Sequence, residues 1–291
     1  MTKQFEEILR GPTAARRTHF EAAPVRGEFT LIIPSSRFDQ TSDSGGRMVS
    51  MARRLGLAAA VVIALAVLGG RPAAAEWFAD VFTGVGLTQS HDFKLNDPGI
   101  GPGTYDDVSF DKALAFGGRL GRYFDSLPFL GFGVDYFHFT PYVGPQSVNL
   151  HGCFYPGGCG AGKGGIGTFE VTVNSVSLDL MLRLPLLKST AAPQGRVQPY
   201  LAVGAPLFIT TITPRNTKSF RNHDDDTDVS IGGKGAAGVA VQIYQNLMLF
   251  AEYRFTHVSP DVELRDASTN RVKLSTDLNT HSALIGLSAH W

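Results

Sequence analysis

Two stretches of the chain carry residues whose types and spacing could do chemistry. Gly157-Gly-Cys-Gly-Ala-Gly-Lys-Gly164 approaches the loop in which backbone N–H groups and a lysine cradle nucleotide phosphates. Gly164 stands where that loop needs Ser or Thr for the metal, and the pattern offers no buried strand before it or helix after it, so a nucleotide site is rejected. The stretch reads instead as a flexible exposed loop. The only two cysteines, Cys153 and Cys159, read as a disulfide that ties its apex in an oxidising compartment. His223-Asp-Asp-Asp-Thr-Asp228 places acids at 224, 226 and 228, the first three ligand spacings of a calcium loop. The sixth position of that loop is Val229 rather than Gly and the twelfth is Gly235 rather than Glu. A solvated acidic loop balanced by Arg215, Lys218 and Arg221 is the expectation, with weak divalent binding as the sharper alternative. No cofactor, resident metal or catalytic group is assigned on these grounds.

The remaining charged residues gain meaning from the elements that carry them. The 291 residues are 43% hydrophobic and 18% charged with formal net charge zero, so no basic field points to nucleic acid. No apolar run reaches the ~18–20 residues of a membrane-spanning helix. Yet period-two segments of strand length recur near 77–88, 112–124, 129–140, 171–184, 197–209, 231–244, 247–256 and 280–291. The links between them alternate between short turns (125–128, 245–246) and long loops, as in a transmembrane barrel with its short turns in the periplasm. A chain that crosses a membrane without helices must close its sheet, because an open edge cannot sit in hydrocarbon. The expected fold is therefore all-β, an eight-stranded antiparallel up-and-down transmembrane barrel with long extracellular loops.

A hairpin centred on Leu127 pairs Arg119 with Asp135, Tyr123 with Gly131 and Gly117 with Phe137 inside, and Leu120 with Val134 and Gly118 with Tyr136 outside. A slip of one residue would put both charges into lipid, at about 2–4 kcal/mol for a midplane Arg. Carried round the chain, this parity places Asp80, Arg119, Asp135, Asp179, Arg183, Lys234, Gln242, Glu252, Arg254 and His290 inside. Val85, Leu120, Val134, Leu178, Leu201, Val241, Tyr253 and Ile285 are among those outside. Four acids (Asp80, Asp135, Asp179, Glu252) then face four bases (Arg119, Arg183, Lys234, Arg254) in a bore that side chains alone can fill. Balanced charge there suggests a plug of salt bridges. A small gated conduit is the alternative.

Three segments carry a family likeness. Ser282–Trp291 alternates apolar and polar side chains and ends on a bare aromatic. Gln198-Pro199-Tyr200 with Gly204, and Ala251-Glu-Tyr-Arg-Phe255, precede it in order. Together, over residues 76–291, they resemble the eight-stranded outer-membrane β-barrel superfamily that includes the OmpA membrane domain and the opacity-type porin-family proteins. The resemblance implies the bacterial outer membrane, surrounding lipid and lipopolysaccharide, and insertion machinery that reads the terminal aromatic, here Trp291 where Phe is usual. It also implies loops that meet host or surface ligands. Pro206 departs from the family's second Gly and demands a bulge or a lost ladder bond nearby. Thr256-His-Val-Ser259 resembles outer-membrane lipid A deacylases. That likeness implies His257 as base, Ser259 as nucleophile and Glu263 or Asp266 as orienting carboxylate for ester cleavage.

Upstream, Arg53 and Arg54, the apolar run Leu55–Leu68 and Ala73-Ala-Ala75 form a secretory signal peptide over 51–75, with cleavage before Glu76. Thr2–Gly11 and Arg26–Ile33 resemble the tail of ribosomal RNA small-subunit cytidine ribose methyltransferases, a likeness confined to residues 1–36 and without their cofactor-binding part. Residues 1–50 are thus expected to be a non-native or disordered extension. Either the start is set too early, with Met51 or Met48 the true one (the preferred reading), or a neighbouring gene's fragment is fused. The expected protein is a non-enzymatic barrel with a structural or surface-interaction role. A minor porin and a lipid A deacylase are the alternatives.

Overall fold

The computed structural model describes residues 76–98, 101–154, 158–189, 192, 194–216, 220, 225–265 and 270–291. The expected extension, the signal peptide and the methyltransferase-like stretch lie outside them. Among the described residues the strands are β1 (Glu76–Thr88), β2 (His91–Asp97), β3 (Gly101–Val108), β4 (Ala113–Tyr123), β5 (Leu130–Phe139), β6 (Tyr142–Val143), β7 (Gln146–Phe154) and β8 (Gly158–Ile166). They continue with β9 (Thr168–Arg183), β10 (Val197–Asn216), β11 (Asp226–Ile231), β12 (Gly233–Tyr244), β13 (Leu247–Val258), β14 (Asp261–Arg265), β15 (Arg271–Ser275) and β16 (Leu278–His290).

Eight of these form a closed antiparallel ring in the order β1-β4-β5-β9-β10-β12-β13-β16. The ring shuts where β16 meets β1: Trp77 N donates to Trp291 O at 2.9 Å and Trp291 N to Trp77 O at 3.0 Å. The hairpin of β4 and β5 has the expected register, with Arg119 opposite Asp135, Leu120 opposite Val134 and Tyr123 opposite Gly131. Alternation does the sorting. Leu120, Val134, Leu178, Leu201 and Ile285 are each about half exposed on the outer wall, whereas Arg119, Asp135, Asp179 and Glu252 on the inner wall are buried. Such an outer band belongs against hydrocarbon.

Glycine sets how closely inner side chains can lie on the neighbouring strand. A Cβ at Gly117 would stand 2.1 Å from Tyr136 O and 2.7 Å from the Phe82 ring, and one at Gly121 would stand 2.3 Å from the Phe78 ring. Interior aromatics thus lie flat over glycines of the next strand, filling the bore without widening it.

Pro206 produces no bulge against β9, where it pairs with Ser177 in unbroken register. The interruption is on its other side. β12 leaves β10 at Gly204, β11 joins it at Leu207, and Pro206 O accepts from Gly232 N in the gap. The missing N–H therefore falls where the ladder changes partners.

The long loops are the main difference from expectation. Their described residues are largely strands. Among the described residues, the loops expected at 89–111, 141–170 and 257–279 form a second, six-stranded sheet in the order β14-β15-β2-β3-β7-β8, while the loop expected at 210–230 extends β10 and adds β11 beside it. Gly158–Ile166, expected as a flexible loop, is strand β8, and the Cys153–Cys159 disulfide links residues directly opposite each other on β7 and β8. One face of this sheet buries Phe93, Val262, Leu264, Val272 and Leu274. These join a single apolar cluster with Phe169, Ile212, Val258 and Leu278 at the outer end of the barrel strands. The Phe93 and Phe169 rings pack edge to face, 6.4 Å apart. Barrel strands β9 and β10 accordingly run on to Thr168 and Asn216, beyond the expected 171 and 209, to supply the facing layer.

Candidate functional site

The most densely polar part of the molecule is the barrel interior, and its residues come from every wall. Arg119 on β4 sits centrally. Its Nη2 donates to Glu252 at 2.7 Å, its Nε to Asp135 at 3.2 Å and its Nη1 to Asp80 at 3.4 Å. Arg254 on β13 grips Asp135 with both Nη atoms at 3.0 and 2.9 Å and gives Nε to Glu252 at 2.9 Å. Lys234 on β12 reaches Asp179 at 2.5 Å, Asp135 at 3.1 Å and Ser177 Oγ at 2.8 Å. Tyr200 on β10 donates its hydroxyl to Glu252 at 2.9 Å. The Arg254 guanidinium lies 4.7 Å from both the Phe82 and Phe137 ring centroids. Charges this deeply buried persist only when paired and hydrogen-bonded, and forked arginines on carboxylates do this with fixed geometry.

The expected balance of four acids and four bases needs correction. Asp80, Asp135, Asp179 and Glu252 share one network with Arg119, Lys234 and Arg254, but Arg183 is not part of it. Arg183 points to the short-turn end, where it pairs with both carboxylate oxygens of Glu76 and lies 3.6 Å over the Tyr123 ring. His290 Nδ1 meets the same carboxylate at 2.5 Å and its Nε2 meets Ser288 Oγ at 2.9 Å. Glu76 was absent from the expected interior because it was read as the first residue after a cleavage site. Gln242 lies at the β12–β13 turn, half-buried, its side-chain amide donating to Gln245 O at 2.8 Å. Tyr200 and Ser177 were also missed, although both fall on inward parity.

The two residues of the candidate ester-cleaving pair share no hydrogen bond with each other. His257 Nδ1 lies 2.6 Å from Asn279 Oδ1, and Ser259 Oγ donates to Asp277 Oδ1 at 2.5 Å. Glu263 pairs with Arg271 and Lys273 rather than with the imidazole, and Asp266 lies outside the described residues. In the acidic stretch, His223 and Asp224 lie outside the described residues, as do Lys218 and Arg221, while Arg215 pairs with Glu170 at 2.7 Å. Asp226 and Asp228 lie on strand β11, and Asp226 accepts the Glu263 N–H at 2.7 Å. Among the described residues no group of three or more His, Cys, Asp or Glu side chains could hold a metal ion.

A closed ring with leucines outside and an ionic core inside defines a membrane-spanning β-barrel, since only closure satisfies every backbone group in lipid. Residues 59–290 match the family model for the outer membrane protein beta-barrel domain, and the chain belongs to that family, at home in the bacterial outer membrane. Among curated proteins no sequence match is significant. Solved structures that resemble it include Neisserial surface protein A (16% identity, covering 75% of this chain and 97% of that one, TM-score 0.37). OprG from Pseudomonas aeruginosa gives 12% identity, 74% and 95% coverage and TM-score 0.44. Ail, the attachment invasion locus protein of Yersinia pestis, gives 10% identity, 74% and 98% coverage and TM-score 0.29. None of the three carries a functional argument for this chain.

Proposed function

We propose that this protein is a non-enzymatic, non-conducting barrel whose outer sheet makes its contacts at the cell surface. One observation carries the reading: buried, mutually paired charges line the barrel interior, and an apolar cluster lies at the outer ends of its strands. The ionic network centres on Arg119, and Phe93, Phe169, Leu264 and Leu278 are buried together in the apolar cluster. Eight-stranded barrels have just enough interior for side chains, and this one uses it. Lipopolysaccharide and outer-membrane lipids surround the apolar band, the insertion machinery reads Trp291, and host or surface ligands meet the second sheet. The separate partners of His257 and Ser259 favour a structural role for both.

Planar-bilayer recording of the purified barrel tests this. No steady ion current is expected from the parent protein. A steady current altered by Arg119→Ala or Glu252→Ala would make it a small-solute porin and overturn the plugged bore. Mass spectrometry of lipid A acyl chains is expected to be the same for the parent and Ser259→Ala. Acyl release that depends on Ser259 would restore the deacylase.

A further inference from the structure

The two edges of the outer sheet differ. The β14 edge meets β11, where Asp226 accepts the Glu263 N–H at 2.7 Å. Strand β8 forms the other edge, and among the described residues no strand pairs with its open side. It lies against β7 over all nine residues without a break in register, and the Cys153–Cys159 disulfide pins that pairing. A straight edge of this kind presents a row of unpaired N–H and C=O groups, which proteins usually blunt with proline, a bulge or several charges. Strand β8 has no proline and no bulge, and Lys163 is its single charge. Its glycines are not explained inside the chain. None of Gly160, Gly162 and Gly165 has a positive φ, and a Cβ on any of them would meet no atom within 4 Å. In a strand interior glycine weakens the pairing, and where neither conformation nor internal packing requires it, it suits the close approach of another chain.

The rest of the protein shows what fills such a position. Gly117, Gly121 and Gly286 stand directly opposite Phe82, Phe78 and Phe250, whose rings lie 2.7, 2.3 and 2.5 Å from where a Cβ would be. In the same way a Cβ on Gly164 would stand 2.8 Å from the Tyr105 ring. Gly160 and Gly162 share that face of β8 and lack a ring. Gly162 lies opposite Leu150, which lies opposite Tyr105 at the border of the apolar cluster. Rings brought in from the open side would extend that apolar face. Lys163 projects from the opposite face, exposed, and suits an acidic neighbour. We propose that β8 docks an extended peptide segment of another surface protein, one that alternates aromatic residues with polar and acidic ones and adds to the sheet as a seventh strand. A second copy of this chain fits less well, because pairing β8 with itself brings no ring to Gly160 or Gly162. Peptide capture here rests on the surface-contact role proposed above and names its site and the chemistry of its partner.

Fluorescence polarisation on the folded protein in detergent micelles tests this with a labelled nine-residue peptide that alternates phenylalanine with threonine and glutamate, its length matched to β8. Saturable binding is expected, with the alanine-for-phenylalanine peptide at least about tenfold weaker. Methylating every second backbone nitrogen should abolish binding in one of the two alternate sets and spare it in the other, because only one set faces β8. Gly160→Val and Gly162→Val occupy the place of a ring and are each expected to weaken the peptide about tenfold. Neither new Cβ meets another atom within 4 Å, so heat-modifiable gel migration should stay that of the parent. No saturable binding, equal affinity for the alanine peptide, or self-association of the parent that either valine variant abolishes would overturn the proposal. Binding unchanged in both variants would overturn the edge as the site while leaving the surface-contact role standing, and the bilayer recording reads the closed bore separately.

Discussion

Arg183 Nη1 donates to Glu76 Oε1 at 2.8 Å through the barrel interior, joining residues 107 positions apart. His290 meets that same carboxylate from the last strand. One acid at the start of β1 thus ties β9 to the seam where the barrel closes.

The first prediction follows from that joint. Glu76→Gln removes the charge that Arg183, almost fully buried, depends on. Breaking a buried pair from one side costs about 3–5 kcal/mol, because the surviving charge is left uncompensated. Urea unfolding in lipid vesicles, followed by fluorescence of Trp77 and Trp291, should show the loss. Replacing Glu76 and Arg183 together with apolar residues should cost less than either single change.

The central network predicts strong non-additivity. Lys234→Met leaves Asp179 with its main cation gone, and Asp179→Asn leaves Lys234 facing Asp135 alone. Each single change should destabilise by about 3–5 kcal/mol. The double variant should fall short of their sum by about 1–3 kcal/mol, since the two residues share one contact. A double-mutant cycle from the same unfolding assay measures this directly. Strict additivity would mean the pair is not coupled.

How much of this was legible in the sequence depends on where each residue sits. In the membrane, lipid outside and charge inside force strict alternation, so the eight barrel strands were readable as period-two segments, and the β4–β5 register from Arg119, Leu120, Val134 and Asp135. Above the membrane that contrast disappears. Val262 and Leu264, and Val272 and Leu274, do alternate in β14 and β15, but runs of five residues are too short to outweigh their Ser, Pro, Asp and Asn surroundings. Strand β8 has almost no side chains to alternate, so the Cys153–Cys159 pair was the one sequence signal of its pairing with β7, and it read as a tied loop rather than a strand. Glu76 was hidden for another reason. It shares the inward parity of Asp80, but as the residue next to the expected cleavage it fell outside the expected first strand, 77–88.

The glycines under interior rings predict a steric cost with a specific remedy. Gly117→Ala would drive a Cβ against the Phe82 ring and Tyr136 O. Overpacking of this kind costs about 1–3 kcal/mol or more when backbone must move. The folded fraction on a heat-modifiable gel should drop. Adding Phe82→Leu removes the ring contact but not the carbonyl contact, so recovery should be partial. Full recovery would place the whole cost on the ring.

Trp291 allows closure and recognition to be told apart. Its backbone makes both seam hydrogen bonds with Trp77, and its side chain packs with Val81, Leu247 and Leu287 around the fully buried Ala289. Trp291→Phe keeps the backbone bonds and an aromatic ring, so it should fold in vesicles as the parent does. Deleting Trp291 removes two backbone bonds, each worth about 0.5–1.5 kcal/mol net, plus the packing. It should therefore fold more slowly and less stably even in vesicles that contain no insertion machinery. In cells, Trp291→Phe should reach the outer membrane at parental levels or above, while Trp291→Ala, which keeps the seam bonds, should accumulate unfolded. If Trp291→Ala assembled normally in cells but was destabilised in vesicles, the terminal ring would be serving closure alone, and its role as an insertion signal would be lost.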